Sequence, residues 1–208
     1  MSDNNQSSYR SIFKATSLFG GVQVYQILIQ IIKSKFIAIL LGPAGIGIIG
    51  LYQSGLQFVQ QLTNMGLAQS AVRDVSEANG TGDKQRIAHT ITVVRRLVWI
   101  TGLLGLIAVA VLSPLLSKSS FGNYDYTIPF IILSFTLLLD QLSAGQKVVL
   151  QGMRRLKELA KCSAFGATFG LITSVPLYYF IGIKGIVPSL ILNSACMLLL
   201  SWIYSKRV

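Results

Sequence analysis

The sequence predicts an all-α integral membrane protein with six transmembrane helices and both termini on the cytoplasmic side. Three observations carry that prediction. The 208 residues are 52% hydrophobic and 12% charged, where soluble domains carry about 25% charged residues. Six mostly apolar windows lie at about 12–41, 46–65, 97–116, 126–142, 162–180 and 186–204, each long enough to cross roughly 30 Å of bilayer hydrocarbon. Third, the basic residues collect on every second connection between these windows.

In chain order, residues 1–10, MSDNNQSSYR, are polar and read as a loose tail ahead of a six-helix lobe over 11–208. No small-residue cleavage site follows the first apolar run, so span one is expected to be retained and not removed as a signal peptide. It contains VQVYQILIQIIK, in which Gln23, Gln26, Gln30 and Lys33 fall within about 80° of one helix face. The run GPAGIGIIG, Gly42 to Gly50, reads as a turn entering span two. It lacks the preceding strand and the lysine of a phosphate-binding loop. Span two, LYQSGLQFVQQLTNMG, gathers Gln53, Gln57, Gln60, Gln61 and Asn64 within about 80–100°. Span three, WITGLLGLIAVAVLSPLL, is almost wholly apolar and suits lipid contact. Span four and its extension, LLLDQLSAGQKVVLQGMRRLK, align Asp140, Ser143, Lys147, Gln151 and Arg154 within about 80°. Span five carries the small residues Ser163, Gly166 or Ala167, Gly170 and Ser174 in a row, a spacing that lets helix backbones approach closely. Pro176 is placed to kink it near its outer end.

Orientation follows from charge, because Lys and Arg near span ends are retained on the cytoplasmic side. Arg10 and Lys14 precede span one, and Arg73, Lys84, Arg86, Arg95 and Arg96 separate spans two and three. Lys147, Arg154, Arg155, Lys157 and Lys161 separate four and five, and Lys206 and Arg207 end the chain. The opposite connections hold only Lys118 and Lys184, with Lys33 and Lys35 inside or near the outer end of span one. Aromatic residues agree, since Tyr and Trp favour the two interfaces. Phe121, Tyr124 and Tyr126 gather at the outer side, as do Tyr178, Tyr179 and Phe180, while Trp202 and Tyr204 gather at the inner one. This topology accounts for the net charge of +11, so no nucleic-acid partner is expected; such binding would need a soluble basic face.

The polar stripes on spans one, two and four are the candidate functional feature. A single membrane glutamine is explained well by an interhelical hydrogen bond contributing about 0.6–2 kcal/mol. Stripes along most of a span are harder to explain that way, because every buried amide needs a partner or costs about 1–3 kcal/mol. A water-filled cavity satisfies all of them together. Gln23, Gln26, Gln30, Lys33, Gln53, Gln57, Gln60, Asn64, Asp140, Lys147, Gln151 and Arg154 are therefore the expected pathway residues. Asp140 and Lys33 sharpen the case, since charges inside a membrane usually face a pathway, although Lys33 also has the option of reaching the outer interface beside Lys35.

No catalytic signature accompanies them. The one histidine, His89, falls in the polar GTGDKQRIAHT connection, and Cys162 and Cys196 lie in spans without metal-ligand spacing. No nucleophile with an adjacent base is found. Neither an enzymatic activity, a metal nor a cofactor is expected, and Asp140 is the only plausible intramembrane acid.

Four segments in order carry a family resemblance: FIAILLGPAGIGIIGLYQ, NMGLAQSAVRDVSEA, VLQGMRRLKELAKCSAFGATFG and VPLYYFIGIKGIVPSLIL. From about Ser11 to Tyr204 the chain resembles bacterial O-antigen translocases, polysaccharide flippases of the multidrug, oligosaccharidyl-lipid and polysaccharide exporter superfamily. The resemblance implies a multi-pass protein of the bacterial inner membrane. It implies movement of an undecaprenyl-pyrophosphate-linked oligosaccharide to the periplasmic leaflet, without nucleotide hydrolysis by the flippase. Its partners would be that lipid-linked oligosaccharide, membrane lipid and polysaccharide-assembly proteins. Amides suit sugar hydroxyls, and Lys33, Lys147 and Arg154 suit a pyrophosphate. A cation-coupled drug exporter of the same superfamily is the alternative, with Asp140 as its carboxylate; a scaffold subunit that transports nothing is a third reading. Members of the family typically have two six-helix halves, so this chain is expected to be one half of a two-lobed exporter fold, the N-terminal one. It would pair with a second half or with another copy, an even number of spans leaving both lobes in the same orientation.

Overall fold

The computed structural model describes residues 3–64 and 66–206. Met65 and Arg207, and the side chains of Arg10 and Lys14, lie outside the described residues. Among the described residues six helices, α1 (Asp3–Asn64), α2 (Leu67–Thr81), α3 (Lys84–Phe121), α4 (Thr127–Gly152), α5 (Leu156–Ile181) and α6 (Ile186–Ser205), are joined by short turns, one of them the 3-10 turn Gly182–Gly185. No strand occurs among the described residues. Where composition suggests a tail over 1–10, α1 begins at Asp3. The run from Asp3 to Phe19 holds no Gly or Pro, so nothing stops a helix from propagating back through it.

Helix α1 is broken at Gly42, where φ 66° and ψ −172° leave the helical region ahead of Pro43. Glycine takes a positive φ without the Cβ clash that other residues meet, and proline starts the second limb with no amide hydrogen to lose. The break reverses the chain. Lys33 and Gln53 would stand about 30 Å apart on a straight helix rising 1.5 Å per residue, yet both line one cavity of about 290 Å³.

The remaining contacts fix a bundle of alternating direction. The second limb of α1 runs parallel to α4, because a Cβ on Gly55 would meet Phe130 at 3.1 Å and Asn64 bonds Gln141. Helix α3 runs against α4: a Cβ on Gly102 would meet Leu138 at 2.9 Å and one on Gly145 would meet Val98 at 2.8 Å. Helices α5 and α6 form an antiparallel hairpin, with Tyr178 Oη and Ser189 Oγ sharing a hydrogen bond at 2.6 Å. Helix α6 is parallel to α4, Ser143 Oγ donating to the Met197 carbonyl at 3.4 Å. The first limb lies on α5, where Tyr25 Oη and Thr168 Oγ1 share a hydrogen bond at 2.7 Å.

Two apolar clusters hold these elements. One surrounds Tyr52, Val59, Val109, Phe130, Leu133 and Ile186 between α1, α3, α4 and α6. The other joins α2 to α3 and α4 through Ala71, Val75, Val94, Val98 and Val148. The basic connection after span two is thus largely helical and docked. Its apolar residues Ala71, Val75 and Ala78 recur at the spacing that puts them on one helix face. Gly66 and Gly82, at φ 73° and 71°, bound that helix. Asp83 then starts α3 by accepting a hydrogen bond from the Gln85 amide at 2.8 Å. His89 is exposed on the first turns of α3. A Cβ added to Gly152 would lie 2.6 Å from Val75 and 3.2 Å from the Val72 carbonyl. Gly152→Ala is therefore expected to cost about 1–3 kcal/mol and to loosen α2, read as faster proteolysis around Gly82 without change at the other turns; unchanged proteolysis would rule this docking out.

Among the described residues four helical stretches are long and apolar enough to cross a membrane: Gly20–Asn64, Lys84–Phe121, Thr127–Gly152 and Leu156–Ser205. The first and last, of 45 and 50 residues, exceed what one crossing of about 20 residues needs, and each is interrupted near its middle, at Gly42 and at Gly182–Gly185. The outward faces are apolar, with Ile39 72%, Val111 71% and Ile128 67% exposed. Inside, several buried hydroxyls donate to the preceding helical turn, as Ser113 does to the Ala110 carbonyl and Thr136 to that of Leu133, which satisfies them without water. The chain is a multi-pass membrane protein.

Candidate functional site

Small residues on α5 shape the site. A Cβ on Gly170 or on Gly166 would collide with Asn193 or Met197 of α6, so these two glycines let the α6 side chains lie against the α5 backbone. Ser174 Oγ donates to the Gly170 carbonyl one turn earlier. The space left between α5, α6, α4 and the first limb of α1 is a cavity of about 280 Å³ bounded by Gln26, Gln30, Lys33, Lys147, Ser163 and Asn193. A second cavity of about 290 Å³ lies between the two limbs of α1 and the α5–α6 hairpin, bounded by Gln30, Lys33, Ser34, Gln53 and Tyr178. Gln30 and Lys33 line both, so the cavities adjoin across these two side chains.

Two half-buried cations therefore meet amides along these cavities, Gln26 and Asn193 half-buried and Gln30 and Gln53 exposed. The Lys33 ammonium comes within 3.9 Å of the position a Cβ would take at Gly170. Lys147 projects from α4 on the opposite wall. Asp140, two turns earlier on α4, accepts a hydrogen bond from Ser194 and lies within electrostatic reach of Lys147. Among the described residues the side chains of Gln26, Gln30, Gln53 and Asn193 make no hydrogen bond to protein. Two joined cavities give them room for water or a polar ligand.

The twelve residues expected from the sequence do not all converge. Gln26, Gln30, Lys33, Gln53 and Lys147 border the cavities, and Asp140 is tied to them through Ser194 and Lys147. Gln23 and Gln57 are exposed and Gln60 is half-buried, bordering neither cavity. Asn64 enters a junction of three helices, where Gln141 Nε2 donates to Asn64 Oδ1 at 2.6 Å and to Thr101 Oγ1 at 3.0 Å. Gln151 and Arg154 are exposed at the end of α4, with Arg154 in the left-handed region at φ 56°. Periodicity does not reveal Asn193 or Gln141. Asn193 is the one amide on α6 and forms no stripe, and Gln141 follows Asp140 directly, so it turns about 100° away from the α4 stripe.

Comparison with known proteins gives one match. The model of a family described as "Polysaccharide biosynthesis protein" matches residues 36–208, a range that includes Gln53, Asp140, Lys147 and Asn193 but not Gln26, Gln30 or Lys33. No curated protein and no solved structure gives a significant match. With helices built to cross a membrane and a family model covering most of its length, the chain belongs to the polysaccharide biosynthesis protein family.

Proposed function

We propose that this protein carries a lipid-linked oligosaccharide, of the undecaprenyl-pyrophosphate type used for O-antigen and related surface polysaccharides, across the bacterial inner membrane. The observation that carries the reading is the pair of adjoining cavities in which Lys33 and Lys147 stand among unpaired amides. Sugar hydroxyls are both donors and acceptors and match amides in both senses. A pyrophosphate is anionic and matches two ammonium groups. No chemistry by the protein itself is required, so it is read as a transporter and not as an enzyme. The two interrupted stretches each supply two crossings in this reading, giving six, and the charge asymmetry puts both ends in the cytoplasm.

A scaffold would be expected to pair the amides of its membrane helices with one another. The Gln141–Asn64–Thr101 junction does so, whereas Gln26, Gln30, Gln53 and Asn193 do not, which favours transport. Cysteines placed at Gln30, Gln53 and Lys147 are expected to react with a small hydrophilic thiol reagent in membranes, while cysteines at lipid-facing Ile39 and Val111 stay protected. Equal protection of both sets would remove the wet pathway. For orientation, cysteines at Lys84 and Lys157 should be shielded from an impermeant reagent in intact spheroplasts and one at Lys118 labelled; the reverse pattern would invert the topology.

A further inference from the structure

A further cavity, larger than these two, is not part of this polar pathway. It is an open groove of about 610 Å³ where the second limb of α1 meets the starts of α4 and α6, and its walls are predominantly apolar. The volume lies within the roughly 300–1,000 Å³ usual for small-molecule sites. Ile128 and Ile132 of α4 and Ile191 and Leu192 of α6 supply wall surface, and Ile128, Ile132 and Leu192 are exposed. Because α4 and α6 run parallel, both begin at this end. The residues just before those starts, Asp125 and Lys184, bring one negative and one positive charge to the same groove. Both are exposed. They do not pair with each other; the ion pair found among the described residues is Arg86 with Glu77, elsewhere in the fold.

We infer that this groove is a binding site for a zwitterionic phospholipid, with an acyl chain along the isoleucine walls, the phosphate at Lys184 and the headgroup ammonium at Asp125. Charge complementarity selects the occupant. An anionic lipid satisfies Lys184 but sets its headgroup against Asp125, and an uncharged diacylglycerol leaves both charges without a partner. A phosphoethanolamine headgroup carries both charges on one short linker and answers both residues. Tyr126, which also borders the groove, places an aromatic ring at headgroup level, where such rings are favoured. In the orientation argued from charge this end faces the outer leaflet, and the groove shares no lining residue with the cavities at Lys33 and Lys147, so the inference does not depend on what they transport.

Native mass spectrometry of the full chain released from mixed vesicles of phosphatidylethanolamine, phosphatidylglycerol and diacylglycerol tests the inference without any transport measurement. The expected result is retention of phosphatidylethanolamine at least about threefold over the other two. Asp125→Asn should bring phosphatidylethanolamine and phosphatidylglycerol to equality by removing the ammonium partner, and Lys184→Gln should weaken both. Ile191→Trp, which fills the groove, should abolish retention; if that variant fails to fold, Ile128→Trp at the exposed rim serves. Equal retention of the three lipids by the unmodified chain would overturn the inference, as would a preference that survives both charge substitutions. Displacement of phosphatidylethanolamine by an equimolar isoprenoid phosphate would also overturn it, by assigning the groove to the tail of the transported lipid.

Discussion

Gln141→Leu is expected to destabilise the bundle by about 1–3 kcal/mol, the cost of leaving buried hydrogen-bond partners unsatisfied. Gln141 is 6% exposed and its amide reaches Asn64 and Thr101 together, so one side chain fastens α4 to α3 and to the second limb of α1. Thr101 keeps other bonds, donating to the carbonyls of Leu97 at 3.0 Å and Val98 at 3.2 Å. Most of the loss should therefore fall on Asn64. Asn64→Leu alone should cost a similar amount, whereas the double substitution should cost much less than the two added together, because two apolar groups of similar shape replace a pair that no longer needs satisfying. Thermal unfolding of the four proteins in one detergent measures the coupling. Strict additivity would mean that the junction contributes nothing and would return Asn64 to the set of pathway candidates.

The same junction shows how far the sequence could be read. Apolar windows and charge asymmetry lead to membrane-crossing helices because both reflect transfer between water and lipid, which acts on each residue almost independently of its neighbours. The break at Gly42 was legible for a similar reason, since Gly followed by Pro restricts the backbone locally. What each polar side chain faces is a different matter. Gln30 and Asn64 both belong to stripes of the same kind, yet one borders a cavity and the other is paired, and the difference lies in whether a partner such as Gln141 arrives from another helix. That partner is 77 residues away in the chain, and no period within one helix encodes it. The docking of α2 was hidden likewise: its small apolar residues become a packing face only because Gly152, on a different helix, leaves room for Val75. Asn193 had no pattern to belong to, and its place opposite Lys33 depends on the glycine at position 170 of the neighbouring helix.

Replacing both cations, Lys33→Gln with Lys147→Gln, is expected to slow translocation of an undecaprenyl-pyrophosphate-linked oligosaccharide by tenfold or more in a full functional context, with protein abundance unchanged. Each ammonium should contribute a charge-assisted contact to the phosphates, and a tenfold effect corresponds to about 1.4 kcal/mol. Glutamine is one atom shorter than lysine but keeps a hydrogen-bonding end while removing charge, so little packing is lost. Asp140 supplies the control that separates the two transport readings. If Lys147 serves chiefly to neutralise Asp140 in a cation-coupled exporter, then Asp140→Asn should restore activity to Lys147→Gln, because the uncompensated carboxylate is gone. If Lys147 acts on an anionic substrate, Asp140→Asn cannot restore what was lost, and the double variant should remain as slow as Lys147→Gln. Rescue would transfer the site to the cation-coupled alternative. Absence of rescue, together with a milder effect on an uncharged lipid-linked sugar than on the pyrophosphate-bearing one, would leave the two lysines acting on the phosphates.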